Sequence, residues 1–575
     1  MDETLNEQKI TLPDTLELEF AKAREAWDAG GNTRRLWSAD AGLWSGGDEG
    51  HWLGWLDIIG KESLRSDALR EFALGVHSDN FTDILLLGMG GSSLGPEVLA
   101  ETLGSAAGYP RLRVLDSTDP CRVRRFEQRL DIKRTLFIVS SKSGTTLETS
   151  VLMDYFFAAA SAALGRPAAS HFVAITDPGS LLQKVAENKG FRRVFLGVPS
   201  IGGRYSVLSS FGMAPLAASG HNVSAFLAAA DAMARACGPD VSAAENPGVA
   251  LGLAIGVAAL QGRDKLTLIA SPSIGSFGAW AEQLIAESTG KNGKGVIPVE
   301  GEPVNDPSVY GTDRLFVYLR DVRRSNHAHE QAVRSLEKAG HPMVRINVTT
   351  PELLGQEFFR FEIATAVAGA MLGINPFDQP DVEASKIETR AMTETFEKTG
   401  ALPVEAPVCS EEGIALFTDD RNAQSLRRAG ANSTLDSWLK AHFSRIAAGD
   451  YFAVLAYLDA ERPRLKLLQG LRTSVRDCKH VATCLQFGPR FLHSTGQAYK
   501  GGPNSGVFLE ITCEARPDVN IPGRKPSFGI IEAAQARGDF RVLAERGRRI
   551  LRAHIAGDVD KGLAVLGAAV RRALA

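Results

Sequence analysis

The chain has 575 residues, with 64 Lys or Arg against 67 Asp or Glu, and a formal net charge of -3. This balance argues against a dedicated nucleic-acid binder or a polybasic membrane-surface protein, because both carry an excess of basic residues. Apolar residues at 44% and charged residues at 23% exclude wholesale disorder, and 57 glycines with few aromatics favour an α/β fold with many tight turns.

Residues 1–75 are predicted to form a helical N-terminal cap on a later domain, and they hold five of the seven tryptophans. The first residues are acidic and no apolar stretch follows them, so we expect no signal peptide. The longest apolar stretch, about 13 residues at 248–260, is shorter than the ~20 that a membrane span needs. Six scattered cysteines without a CxxC pair favour inert thiols, no metal site and a reduced, cytoplasmic protein.

Residues 76–240 alternate strands with helices. Each strand is a short apolar run followed by a turn and a helical pattern, which is typical of a parallel sheet covered on both faces. The predicted strands lie at 83–87, 112–115, 135–140, 172–175 and 194–198. We therefore expect a first doubly wound α/β domain of about five strands.

The alternation starts again near residue 241. Strands at 265–270, 313–319 and 343–348 with intervening helices predict a second α/β domain over 241–395. Residues 396–450 are of mixed character and are interpreted as a helical linker. A smaller α/β unit is predicted over 451–575, with strands at 451–458, 480–487 and 506–513, and two helices rich in Arg and Ala after them.

The first motif that carries chemistry is GMGGSSLGP, which runs from Gly88 to Pro96 between a strand and a helix. Glycines allow a ligand to approach the backbone, and the start of a helix offers free N–H groups to an anion. A purely structural turn and half of a dinucleotide-binding fingerprint are the alternatives. Ser93 replaces the third glycine of that fingerprint, which disfavours the second alternative.

The second motif, SSKSGTTLET, starts at Ser140 and also joins a strand to a helix. Hydroxyl groups and a lysine at neighbouring positions can hold a phosphate without a metal ion, whereas a simple helix cap needs one hydroxyl. Both loops are predicted at the carboxyl edge of one sheet, where open α/β sheets bind ligands. A phosphorylated small molecule is therefore the predicted ligand.

Three further motifs follow: GGRYS from Gly202, QLIAESTGK from Gln283 and FDQPDVEASK from Phe377. In the second of them, Gln283 and Glu287 are four residues apart and share a helix face. A carboxylate so close to a helix end opposes the helix dipole, which is unusual. The alternative for GGRYS is a surface turn with a solvated arginine. For QLIAESTGK it is a solvated glutamate, and for FDQPDVEASK it is a loop followed by a helix start.

Together these five motifs resemble those of the glucose-6-phosphate isomerase family, in the same order, across residues 80–390. The likeness is greatest to the isomerase half of transaldolase–isomerase fusions, and without a preceding (β/α)₈ barrel we expect no transaldolase activity. The resemblance implies two sugar-isomerase (SIS) doubly wound sheets, which matches the two domains predicted above. It also implies interconversion of glucose 6-phosphate and fructose 6-phosphate in glycolysis and gluconeogenesis, without a cofactor or metal ion.

The resemblance also implies roles for individual residues. Glu287 matches the base, Arg204 the arginine that stabilises the enediolate, and Lys386 the lysine near the ring oxygen. The positions that match the sugar-phosphate site are Gly91, Ser92, Ser141, Lys142, Ser143 and Thr146, with Gln283 and Gln379 at the phosphate end.

Two departures from the family pattern stand out. Asp381 replaces a usual glycine, so the turn before Lys386 is expected to differ. The family's ring-opening histidine lies between the Glu and Lys motifs, but the stretch 300–313 has no histidine. His493, in the sequence FLHSTGQ, resembles that histidine's surroundings in some bacterial members, and we assign it the role, with Asp313 or Arg314 as the fallback and an ordinary loop histidine as the alternative.

The implied reaction begins with ring opening, in which His493 and Lys386 move a proton between the ring oxygen and O1. Glu287 then transfers a proton between neighbouring carbons, a step in which general-base catalysis contributes ~10²–10⁴-fold. Arg204 stabilises the negative charge of the cis-enediolate. A homodimer is expected, because the family's histidine comes from the partner subunit. The alternative function is that of a non-catalytic or amino-sugar SIS-domain sugar-phosphate binder.

Overall fold

A computed structural model describes residues 5–324, 326–514 and 517–575. The N-terminal segment is mainly helical, as predicted, but it begins with a strand that the sequence patterns did not reveal. That strand pairs antiparallel with the edge of the second sheet, and its alternating burial reflects one covered and one open face. The elements are β1 (Glu7–Thr11), α1 (Asp14–Ala29), α2 (Asn32–Trp37), α3 (Ile58–Ser63) and α4 (Ser66–Ser78).

The first sheet has five parallel strands in the order β3-β2-β4-β5-β6, which confirms the predicted doubly wound unit. Its strands are β2 (Asp83–Gly88), β3 (Arg111–Leu115), β4 (Thr135–Ser140), β5 (Phe172–Thr176) and β6 (Arg193–Leu196). Its helices are α5 (Leu94–Leu103), α6 (Pro120–Arg129), α7 (Leu147–Leu164), α8 (Leu181–Lys189), α9 (Ser210–Ala218) and α10 (Val223–Ala236).

The second sheet has the order β1-β10-β9-β7-β8, and all its pairs are parallel except the one with β1. The apolar stretch at 248–260 forms a helix inside the main core. The elements are α11 (Pro247–Leu260), β7 (Lys265–Ala270), α12 (Phe277–Thr289), β8 (Ile297–Val299), β9 (Arg314–Asp321), α13 (His327–Lys338), β10 (Met343–Val348), α14 (Leu354–Leu372) and α15 (Val382–Thr399).

The third sheet has six strands in the order β11-β12-β16-β15-β13-β14. Its elements are β11 (Cys409–Glu411), β12 (Ile414–Phe417), α16 (Asp420–Arg428), α17 (Leu435–Phe443), β13 (Tyr451–Tyr457), α18 (Arg462–Lys479), β14 (Ala482–Phe487), α19 (Gly496–Gly501), β15 (Gly506–Cys513), α20 (Phe528–Glu545), β16 (Arg549–Ile555) and α21 (Val559–Leu574).

This third unit differs from the sequence-based interpretation in two places. Much of the expected linker at 396–450 belongs to the third sheet and its core, through β11, β12 and the buried side chains of Leu426 and Trp438. A strand, β16, separates the two helices expected at the end of the chain. In both places, apolar positions lie among charged ones, and only pairing with distant strands buries them.

The three sheets share one arrangement, in which the first parallel strand has neighbours on both sides. Those strands are β2, β7 and β13. The strand that comes next in the chain pairs with one side of such a strand, and a later strand pairs with its other side. The connections therefore diverge, which opens a crevice at the carboxyl edge of the sheet. In the first sheet, GMGGSSLGP follows β2 and SSKSGTTLET follows β4, so both motifs lie at this crevice. Within the described residues, no helix is long and apolar enough to cross a bilayer.

Candidate active site

The glycine loop after β2 packs directly against the GGRYS loop. A Cβ atom at Gly91 would lie 2.0 Å from the carbonyl oxygen of Gly203 and 2.7 Å from the amide nitrogen of Arg204. Gly90 has a φ of +53°, and a Cβ there would lie 2.8 Å from the carbonyl oxygen of His493. Two predicted motifs and the candidate histidine therefore meet at one backbone crossing, which has no room for side chains at Gly90 and Gly91.

The hydroxyl loop after β4 is held by its own side chains. The hydroxyl of Ser141 donates to Thr146 Oγ1 at 3.2 Å and accepts the amide of Gly144, also at 3.2 Å. The hydroxyls of Ser143 and Thr145 lie 2.9 Å apart at the exposed tip. The loop therefore presents a preorganised group of hydroxyls at the crevice, as the phosphate-binding prediction requires.

The lysine of this loop is directed elsewhere. The ammonium group of Lys142 pairs with Asp177 and also lies 3.3 Å from the carbonyl oxygen of Val198. Burial raises the pKa of Asp177 even though Lys142 opposes that shift. In this arrangement the Lys142 side chain supports the loop through Asp177 and does not point to a phosphate site. The Lys142 ammonium would have to leave Asp177 to contact a phosphate.

A cavity of about 370 Å³ lies beside the hydroxyl loop, and several predicted site residues line it. Ser143, Thr146, Lys386 and His493 are among them. Lys386 is half exposed and lies 3.3 Å from Glu383. The two residues predicted to open the sugar ring therefore share one cavity with the predicted phosphate loop.

His493 is held by a buried carboxylate to which the sequence analysis gave no role. Its Nε2 lies 2.9 Å from Glu148 Oε1, and the same oxygen accepts the side-chain amide of Gln535 at 2.6 Å. Burial raises the pKa of Glu148, but the charge and hydrogen bond of His493 outweigh it, so the pKa lies below its usual value. Glu148 belongs to the SSKSGTTLET motif, which could have pointed to it, whereas Gln535 lies 387 residues further along the chain and had no such signal.

The predicted base is connected to the same histidine. The side-chain amide of Gln283 donates to Glu287 Oε2 at 3.0 Å and to the carbonyl oxygen of His493 at 2.7 Å. Glu287 is 8% exposed. The i,i+4 pair predicted on α12 therefore exists, and its amide joins the carboxylate to the loop that carries the histidine.

Arg204 lies on the other side of the Glu287 carboxylate, with Nη1 3.5 Å from Oε1. The guanidinium is buried and also donates to Ser288 Oγ at 2.7 Å and to Gln379 Oε1 at 2.9 Å. Its Nη2 donates to the carbonyl oxygens of Pro376 and Asp378. Arg204 thus brings a fixed positive charge to the predicted base while its donors are occupied by protein acceptors.

Comparison with known proteins identifies relatives of the chain. A family model for phosphoglucose isomerase matches residues 66–304. A probable glucose-6-phosphate isomerase of Methanococcus maripaludis is 31% identical over 58% of this chain and 82% of its own length. The glucose-6-phosphate isomerase of Rubrobacter xylanophilus is 32% identical over 56% of this chain and 85% of its own length.

The chain belongs to the glucose-6-phosphate isomerase family. The predicted resemblance is thereby confirmed. A solved structure of a hypothetical protein from Thermus thermophilus has the same fold over 67% of this chain and 99% of its own, with a TM-score of 0.57 and 24% identity.

The isomerase motif around Glu287 holds a further residue that the sequence analysis left without a role. Lys291 is buried, and its ammonium donates to the carbonyl oxygen and the carboxylate of Asp378. Burial, followed by the nearby charge of Arg204, lowers the pKa of Lys291 to about 8. Lys291 and Arg204 both donate to backbone carbonyl oxygens of the FDQPD loop and so hold it in place. The same loop carries Gln379, which contacts Arg204.

Asp381, which replaces the usual glycine of the family, makes side-chain contacts that a glycine could not make. The Asp381 carboxylate accepts the amide of Gln497 at 2.6 Å and pairs with Arg546, while its own N–H donates to Gln497 Oε1 at 2.9 Å. Gln497 belongs to the HSTGQ segment of the third unit and also donates to the carbonyl oxygen of Gly290. Asp381 therefore fastens the third unit to the loop that precedes Lys386.

The alternatives to His493 lie at the other edge of the second sheet. Arg314 begins β9, and its guanidinium is held by Glu302 and Thr267 at the junction with the third unit. Asp313 lies 3.6 Å from the buried Lys265. Neither fallback residue lines the cavity that holds Lys386 and His493, so neither is positioned with them for ring opening.

Proposed function

We propose that this chain interconverts glucose 6-phosphate and fructose 6-phosphate through a cis-enediolate intermediate. Membership of the glucose-6-phosphate isomerase family supports the reaction. The observation that carries the assignment of residues is the Gln283 amide, which contacts both the carboxylate of Glu287 and the backbone of His493. A sugar-phosphate sensor would need the phosphate loops but not a buried carboxylate held beside the loop that carries His493.

In the proposed mechanism the hydroxyl loop holds the phosphate, and its binding energy orients the reacting carbons. His493, oriented by Glu148, and Lys386 move the proton that opens the ring. Glu287 removes the proton next to the carbonyl and returns it to the neighbouring carbon. Because Arg204 has committed its donors, it stabilises the enediolate mainly through its charge beside Glu287.

The central test is Glu287→Gln, assayed from fructose 6-phosphate with a coupled dehydrogenase. Loss of the base should lower kcat by ~10²–10⁴-fold and leave binding of the phosphate ligand intact. Glu282→Gln on the same helix is the matched control. Burial, followed by the charge of Glu300, raises the pKa of Glu282 to about 8, so an uncharged amide changes little at neutral pH. Normal turnover of Glu287→Gln would refute the assignment.

His493→Ala separates ring opening from proton transfer. The variant should lose turnover on the cyclic substrate, since it removes the imidazole that the proposed mechanism uses with Lys386 to move the ring-opening proton. Near-normal turnover on that substrate would make His493 an ordinary loop residue.

We also propose that the protein acts in the cytoplasm on a small sugar phosphate, without nucleic acid or membrane. A homodimer remains a prediction. The resemblance implies a histidine from a partner subunit, whereas His493 of the same chain lines the cavity beside the hydroxyl loop. Light scattering combined with activity at falling protein concentration tests whether a dimer forms and whether activity depends on it.

A further inference from the structure

A second cavity, of about 680 Å³, lies at the carboxyl edge of the third sheet. The ends of β13, β15 and β16 line it through Tyr457, Thr512 and His554. The β13–β15 boundary is the point where the strand order reverses, and open α/β sheets bind ligands in such crevices. The cavity shares no lining residue with the one that holds His493.

Three residues that line this cavity hold buried polar atoms without partners. Among the described residues, the hydroxyl of Tyr457, Oε1 of Glu532, and Nε and Nη1 of Arg552 have no hydrogen-bond partner. The three residues are 1%, 7% and 3% exposed. Leaving a buried polar group without a partner is unfavourable, so three such groups around one cavity indicate a place for a polar occupant.

A carboxylate from a peripheral segment already occupies the edge of this cavity. Oε2 of Glu405 lies 2.7 Å from Arg552 Nη2 and 3.0 Å from Arg537 Nε. Arg537 also donates to the carbonyl oxygen of Pro403 at 2.7 Å. Glu405 follows Val404, which is 99% exposed, on the stretch between α15 and β11. Two arginines therefore hold one oxygen of a carboxylate that comes from a segment outside the sheet.

The charges around the cavity favour an anion that also carries hydroxyl groups. Burial raises the pKa of Glu532 and of the neighbouring Glu510 well above the usual value, which favours their protonated, uncharged form. Asp518 and Glu514 also line the cavity, and Asp518 is engaged by Ser527 and the amide of Gly529. Neutral carboxyls and a phenol can exchange hydrogen bonds with hydroxyl groups, whereas the two arginines match a carboxylate or phosphate.

We propose that this cavity is a second ligand site, which takes a small hydroxylated carboxylate or phosphate whose anionic group replaces Glu405 on Arg537 and Arg552.

The second site uses the helices that also serve the proposed isomerase site. Helix α20 carries Gln535 towards Glu148 and Arg537 towards the second cavity. Helix α15 carries Lys386 near one end and Phe396, which lines the second cavity, near the other.

The test is calorimetric titration of the full chain with citrate and with D-gluconate, in the presence of saturating fructose 6-phosphate. These probes lack phosphate, and the sugar phosphate keeps them from the isomerase site. Because Glu405 competes as a tethered ligand, Glu405→Ala should bind the probes about tenfold more tightly than the wild type. Glu394→Ala, which removes an exposed carboxylate on α15 outside the cavity, should bind like the wild type.

Arg552→Met and Arg537→Gln should lose binding. Arg537 is partly exposed, so its variant removes a charge from the site without burying a new group, and it keeps the test valid if the buried Arg552 variant does not fold. No heat of binding with either the wild type or Glu405→Ala would overturn the proposal, as would binding that Arg537→Gln leaves unchanged. Turnover measured on the same samples separates this result from the proposed isomerase function.

Discussion

Replacing Gly91 by alanine should damage the crossing of the two loops at the active site. The added Cβ would lie 2.0 Å from the carbonyl oxygen of Gly203, about 1.4 Å inside the 3.4 Å at which ordinary contact begins. The nearest neighbours are backbone atoms, so no side chain can rotate away. One loop must therefore move by about 1 Å, and Arg204 is the next residue in that loop.

The size of the effect follows from that displacement. Overpacking of this kind costs typically ~1–3 kcal/mol of stability. A shift of about 1 Å in a catalytic group can lower activity ~10²-fold. Gly91→Ala should therefore lower the thermal midpoint and reduce kcat/KM on fructose 6-phosphate by about two orders of magnitude.

Gly203→Ala is the matched control for stability. It makes the same substitution in the same crossing, but no heavy atom lies within 4 Å of the added Cβ and its φ is outside the left-handed region. Its thermal midpoint should stay close to that of the wild type. If Gly91→Ala has the midpoint and kcat/KM of the wild type, the close packing of these loops is not required.

Two further predictions concern stability. Both carboxylate oxygens of Glu362 are buried and lack hydrogen-bond partners in the described structure, and burial raises its pKa well above the usual value. The folded state therefore keeps a proton on Glu362 that the unfolded state loses above about pH 4.5. The free energy of unfolding consequently falls as the pH rises, by about 1.4 kcal/mol for each unit by which the folded-state pKa is raised. Glu362→Gln should raise the thermal midpoint at pH 8 but not at pH 4, and equal midpoints at pH 8 would contradict this reasoning. Asp381→Gly, which restores the family residue, removes a charge-assisted hydrogen bond to Gln497 and an ion pair, worth together ~2–4 kcal/mol. The urea midpoint of Asp381→Gly should fall. The midpoint of Asp381→Asn should fall less, because asparagine keeps an acceptor for Gln497. An Asp381→Gly midpoint equal to that of the wild type would show that the third unit does not depend on this contact.

Sequence patterns predicted the five strands of the first sheet and three of the five strands of the second, because the signals of these strands are local; the three-residue strand β8 was not predicted. The strands of the first sheet are continuous apolar runs between turns, and the structure places each close to its predicted position. The same patterns missed β1, a short edge strand with one open face. They also missed β16, whose Arg549 and Arg552 interrupt the apolar run. The arginines are tolerated there because Asp450 and Glu405, 99 and 147 residues away, pair with them.

By itself, the amino-acid sequence indicated the family, the first two doubly wound sheets and the motifs proposed to carry the base and the phosphate loops. These features depend on glycines, hydroxyls and carboxylates at fixed short spacings, which a linear pattern contains. Tertiary structure decided which partners the site residues have. Glu148 and Gln535 are oriented around His493, Lys142 turns to Asp177, and Arg204 is enclosed by backbone carbonyls. These contacts join residues up to several hundred positions apart, so packing of the third unit, and not any local pattern, brings His493 to the cavity beside the hydroxyl loop.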